Sequence, residues 1–185
     1  MLFRSKADED RLAAQHREIE AAARIDRIVS RIMLALNKGT AESPAQDVLA
    51  ILSEQAGYRP LAFHQWDEWQ GALTLSAGLS LGGEYSRRSW RLGEGLAGEA
   101  ALRRQPLFID QADGTFALDT GAGVIAAATV FALPLVHRDK LLGVISGGTH
   151  ATLTERERRW LEQTAAQVAV GLHGRQQYEE LRELS

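Results

Sequence analysis

Cysteine is absent from this chain, which removes disulfides, thiolate metal sites and thiol nucleophiles together. Proline is scarce, 4 in 185 residues, so long helices meet few interruptions. Neither sign of charge dominates: 21 basic and 24 acidic residues leave a formal net charge of −3, which excludes the electrostatic footprint of a nucleic-acid binder. No apolar run approaches the roughly 20 residues that cross a bilayer. The first ten residues are too charged for a signal peptide, and the expected location is the cytoplasm. His16, His64, His137, His150 and His173 are scattered. They include no His-x-x-x-His pair and no carboxylate at ligand spacing, so no metal site is expected. Ser146 lacks the strand-turn-helix elbow of a hydrolase. With no nucleophile, base and oxyanion site assembled, the chain is not expected to be an enzyme.

What the sequence does contain is enough apolar material, 45%, for one proper core with helical extensions. Residues 91–110 read RLGEGLAGEAALRRQPLFID. Gly93 and Gly95 permit turn conformations and Gly98 permits close helix packing. The helix then runs from its early acid Glu99 to the late bases Arg103 and Arg104, as the macrodipole prefers. Pro106 ends it, and 107–109 read as a short buried strand. The glycine spacing imitates a dinucleotide-binding fingerprint, but it does not follow a buried parallel strand and no suitable acid follows it.

Residues 131–136 and 141–145 form a hairpin pattern across the polar stretch 137–140. Thr154 with Glu157 makes a capping box, and Trp160, Leu161, Ala165, Val168 and Leu172 continue at helical spacing. A second hairpin joins 61–66 to 73–78 through 67–71, and a helix at 45–55 ends at Gly57. The sum is an α+β sandwich: a mostly antiparallel sheet of five or six strands, helices on one face and a loop roof on the other.

Glycine loop, helix, strand, long loop, hairpin and capped helix, in that order over 44–172, resemble the GAF domain family, the small-ligand sensory modules of bacterial signalling proteins. A PAS domain is the rival fold. The resemblance implies three parts: an N-terminal helical arm over 1–39, a sensory core over 40–160, and a C-terminal signalling helix over 154–185. It also implies a small-molecule effector, unidentified, and an output domain or partner outside this sequence. Family chemistries that use cysteine, methionine sulfoxide reduction and covalent bilin attachment, are unavailable here. Cyclic-nucleotide binding is disfavoured. Gly147-Gly148, Leu153 and Glu157-Arg158 stand where such members carry Asn-Lys, Phe and Asp-Glu.

Residues 8–37 contain neither proline nor glycine, and Leu12, Ile19, Ile25, Ile28, Ile32 and Leu36 form an apolar stripe. Some 30 helical residues span about 45 Å, more than a domain of this size covers. The capped helix likewise runs on through Tyr178, Leu181 and Leu184. A homodimer through the arms is expected, with Leu12, Ile19, Ile25, Ile28, Ile32, Leu172 and Leu181 in the seam. The alternative is that 25–36 simply cover the sheet.

The resemblance puts a pocket beneath the glycine-loop helix and the segment 111–129, a loop long enough to be functional, with 124–128 helix-prone. Its expected lining is His64, Trp90, Asp110, Phe116, Thr129 and Phe131. His64 either hydrogen-bonds within the core or presents its imidazole to the pocket. Asp110 either orients a ligand or caps the turn at 111–114. A structural dimeriser would instead fill the pocket with Trp90, Phe116 and Phe131.

Overall fold

The computed structural model describes residues 3, 5–37, 43–81, 89–111, 117–119 and 124–184. The chain opens with α1 (Lys6–Asn37) and α2 (Pro44–Ile51), the latter continuing into a π-helical turn (Leu52–Ala56). Then come β1 (Leu61–Asp67), β2 (Ala72–Leu79), β3 (Ser89–Arg91), α3 (Gly95–Arg103) and β4 (Leu107–Asp110). Two short strands follow, β5 (Ala117–Asp119) and β6 (Val124–Ala126), and then the long hairpin β7 (Thr129–His137) and β8 (Lys140–Thr149). The last element is α4 (Glu155–Leu184).

The main sheet has six strands in the order β3-β2-β1-β8-β7-β4, every neighbouring pair antiparallel. The β7–β8 turn is tight because Arg138 and Asp139 both take positive φ, 48° and 61°, the twist that suits a two-residue hairpin. Among the described residues, β5 and β6 pair with each other and with no other strand. Residues 124–126 are therefore strand and not helix: β-branched Val124 and Ile125 favour the extended backbone that β5 pairs with.

The helices begin where the sequence places caps. Ser43 accepts from the Gln46 amide and Pro44 occupies the first turn of α2. Gly57, at φ 73°, closes the π-helical turn. At α4 the Thr154 hydroxyl accepts from the Glu157 amide at 3.2 Å and donates to the Glu157 carboxylate at 3.1 Å.

Alternation along the strands divides the interior in two. On one face Leu61, Phe63, Phe131, Leu133, Leu135 and Ile145 meet α1, α2 and α4. On the other, Leu73, Ala132 and Val144 meet Ala97, Ala100 and Ala101 of α3.

α1 and α4 lie side by side and parallel, since Glu18 meets Arg156 at 3.6 Å while Leu36 packs on Gly171. Residues 6–17 therefore extend beyond the start of α4 and residues 174–184 beyond the end of α1, where Gln176, Glu179, Glu180 and Glu183 border 65–69 and 140–142. The apolar stripe of α1 is split accordingly. Ile28, Ile32 and, on α4, Leu172 are buried in the chain's own core, and half-buried Ile25 packs against it. These four are corrected from seam to core, because α2, α4 and the sheet already cover them. Leu12, Ile19 and Leu181 remain exposed.

Candidate functional site

The α3 face of the sheet centre is built from small side chains around one imidazole. His64 on β1 stands opposite Val144, and Ala62 opposite Ser146, which in turn stands opposite Ala132. Cross-strand partners share a face, so these residues all look toward α3. His64 is only 2% exposed, a buried titratable group among apolar neighbours. Trp90 on β3 stands opposite Leu73 and packs at the margin of the same cluster. Its ring lies on Gly95, where an added Cβ would fall 2.6 Å from Cζ3.

The glycine loop holds α3 against the sheet edge. The Gly93 amide donates to the Gly98 carbonyl at 2.8 Å, and the Glu94 carboxylate accepts from the Arg91 amide at 3.0 Å. A Cβ at Gly98 would come to 3.4 Å from the Arg91 carbonyl carbon, with the oxygen nearer still. The close approach inferred for Gly98 from sequence is thus an approach to backbone.

Three of the expected pocket residues face the other way. Phe131 is fully buried with the α1–α2–α4 core, edge-on to Tyr58 at 5.8 Å. Thr129, two residues earlier on β7, shares its side. Asp110 pairs with Thr129 in register, and its carboxylate is engaged on the α4 side of the sheet. Its carboxylate takes both bonds from Arg158 of α4, at 2.6 and 2.7 Å, and one from the Thr129 hydroxyl at 2.8 Å. These donors hold its pKa below the ordinary carboxylate value. Thr129 also accepts from the Leu153 amide, and Arg158 donates to the Leu153 carbonyl. Asp110, Thr129 and Phe131 are corrected from pocket to helix-side structure, the period-2 alternation of β7 and its register with β4 being the reason. Phe116 lies outside the described residues. His64 and Trp90 remain on the α3 face.

Sequence reading missed a second polar constellation where α1, the π-helical turn and the start of α4 converge. The Tyr58 hydroxyl donates to Glu157 at 3.3 Å. Burial first, then the negative charge of Glu157, pushes the phenol's pKa well above its ordinary value. No motif signals this cluster, because its members come from three separated segments. Among the described residues no group of three or more His, Cys, Asp or Glu is placed to hold a metal ion.

A GAF domain model matches residues 23–173, and the chain belongs to the GAF domain family, sensory and regulatory modules of signalling proteins. Similar solved structures include the GAF domain of a phosphoenolpyruvate-protein phosphotransferase from Coxiella burnetii. It is 18% identical with a TM-score of 0.68, and the match covers 86% of this chain and 98% of that one. The free methionine-R-sulfoxide reductase of Neisseria meningitidis, in complex with its substrate, gives 18% identity and a TM-score of 0.64, covering 96% and 98%. The second GAF domain of DevS from Mycobacterium smegmatis gives 18% and 0.56, covering 76% and 96%. No match was found among curated proteins.

The Neisseria likeness corrects one expectation. A reductase is built on this fold, so the fold carries catalysis as well as sensing, and the sequence-based exclusion of an enzyme does not stand. Among the described residues no helix is long and apolar enough to cross a membrane.

Proposed function

We propose that this GAF domain is a small-molecule-responsive sensory and dimerisation module of a cytoplasmic signalling protein. Its effector binds on the α3 face around His64 and Trp90, and the arms carry the response to an output partner. The supporting observation is an asymmetry between the two faces of the same strands. The helix-covered face buries Leu61, Phe63, Phe131, Leu133 and Ile145, whereas the α3 face at the same level carries Ala62, His64, Ala132 and Ser146. A sheet built only for stability would bury large apolar side chains on both faces. Small residues around one polar imidazole instead match the composition of ligand pockets, mostly apolar with few convergent polar groups.

The exposure of Leu12 and Ile19 on α1 and their heptad spacing support a homodimer through this arm. Leu181, at the opposite end of the domain, belongs to a separate contact.

The test is thermal unfolding across a metabolite panel. A ligand at 100 times its dissociation constant adds about 2.7 kcal/mol, and His64→Leu should abolish that gain while the domain stays folded. Stabilisation that survives His64→Leu would move the site elsewhere. No stabilisation by any compound would favour a dimeriser with a filled pocket.

A further inference from the structure

On the opposite face from His64, a groove of about 530 Å³ runs between α1 and the first turns of α4. Its apolar wall is Ala21, Ile25 and Ile28 of α1 with Ala56 and the rings of Tyr58 and Trp160. Opposite charges stand on its rim. Arg24 donates to the Gln55 carbonyl at 2.5 Å, and Glu157 accepts from the hydroxyls of Tyr58 and Thr154. Both full charges are thus met there by neutral partners. Glu18 and Arg156, the other charged pair of the groove, face each other at 3.6 Å. Trp160 is 5% exposed, and its indole Nε1–H has no acceptor among the described residues. A buried donor left unsatisfied is costly, and this one belongs to a residue that lines the groove.

We propose that this groove is a second ligand site, for a zwitterion with an apolar body, of the kind represented by a hydrophobic α-amino acid. The ammonium pairs with Glu157 and the carboxylate with Arg24, and the side chain lies along Ile25, Tyr58 and Trp160. A monoanion or monocation satisfies one rim charge and leaves the other as it was. Because the groove joins α1 to the base of α4, an occupant fastens the two helices together independently of anything bound at the α3 face.

The indole N–H resonances of the full chain test this, since there are four tryptophans and Trp160→Phe identifies one of them. L-Phenylalanine is the probe, with 3-phenylpropionate lacking the ammonium and phenethylamine lacking the carboxylate. The Trp160 resonance should move with L-phenylalanine, and each single-charge analogue should bind at least about tenfold more weakly, one lost charge-assisted contact. Arg24→Gln and Glu157→Gln should weaken binding similarly. Ala21→Phe, which fills the groove from a half-exposed helix position, should abolish it while leaving the circular dichroism unchanged. The proposal is overturned if L-phenylalanine at about 10 mM, beyond the weakest useful affinity, leaves the Trp160 resonance in place. Equal binding of the analogues, unaltered binding to Ala21→Phe, or movement of the Trp90 resonance instead would overturn it too.

Discussion

Gly98→Ala sets two effects of opposite sign against each other. In an open helix the substitution gains about 1 kcal/mol in propensity. In α3, however, the new Cβ would press on the Arg91 carbonyl and stand 3.3 Å from the Gly93 nitrogen, both of them backbone. Neither can swing away as a flexible side-chain end would, so α3 must lift from the sheet edge. Overpacking of this kind costs about 1–3 kcal/mol. It also strains the Gly93–Gly98 hydrogen bond, which adds to the loss. The net expectation is a destabilisation of about 1–2 kcal/mol, a fall in melting temperature of about 2–8 °C for a domain of this size. Gly174→Ala is the matched control. It too is helical, but nothing lies within 4 Å of its added Cβ, so it should stabilise by about 0.5–1 kcal/mol. Urea unfolding of the three proteins decides the matter. A Gly98→Ala midpoint at or above wild type would refute the claim that close backbone contact fixes α3.

Other perturbations separate core, cap and arm. Ile28→Asp buries an unpaired charge in the single-chain core and should cost about 4 kcal/mol or more, seen as lost secondary structure by circular dichroism. Ile19→Asp, on the exposed arm, should leave the fold intact and yield monomers by light scattering; an unchanged dimer would remove Ile19 from the seam. Thr154→Ala should lower stability by about 1 kcal/mol, and an unchanged denaturation midpoint would mean that the hydroxyl does not cap α4. Burial first, then the neighbouring His173 and Arg138, hold the pKa of His137 below its ordinary value. The unfolded chain therefore binds the proton more readily, and stability should rise with pH up to the ordinary histidine value near 6.5. Wild type should lose more stability on acidification through that window than His137→Gln, and equal losses would dismiss this histidine as a contributor.

Element positions were legible in the sequence because they rest on local signals. The box at Thr154 and Glu157, the stop at Gly57 and the glycines at 93, 95 and 98 each act within a few residues. Orientation was not. Whether Phe131 or Val130 faces α3 depends on the pairing of β7 with β8 and β4, and a one-residue difference exchanges the faces. Half of the expected pocket was lost on that point alone. The stripe on α1 failed for a related reason: Ile19 and Ile28 carry the same apolar signal, and only the position of α4 decides which is covered. The Tyr58–Glu157 contact, spanning 99 residues of sequence, has no local signature at all.

Asp110 ties the edge of the sheet to the base of α4. It is the last residue of β4, where the segment beginning at 111 leaves the sheet, and Thr129 is where that segment returns. Both ends of the segment therefore meet at one carboxylate, and that carboxylate holds Arg158 in the first turn of α4. A movement of the segment that pulls Asp110 or Thr129 acts directly on the base of α4. A helix of 30 residues extends about 45 Å, so a small tilt at its base becomes a large displacement at its far end. Asp110→Asn keeps the shape but loses the charge and one of the Arg158 contacts. It should speed hydrogen exchange in the amides that follow Thr154, with little change in the rest of the sheet. The wild-type protein should show the same loosening in acid. Since the folded pKa is lowered, the contact's contribution is present above the ordinary carboxylate value and disappears as pH falls through the folded one. Exchange at the start of α4 that is equal in wild type and Asp110→Asn at neutral pH would show that the carboxylate does not tie the segment to the helix.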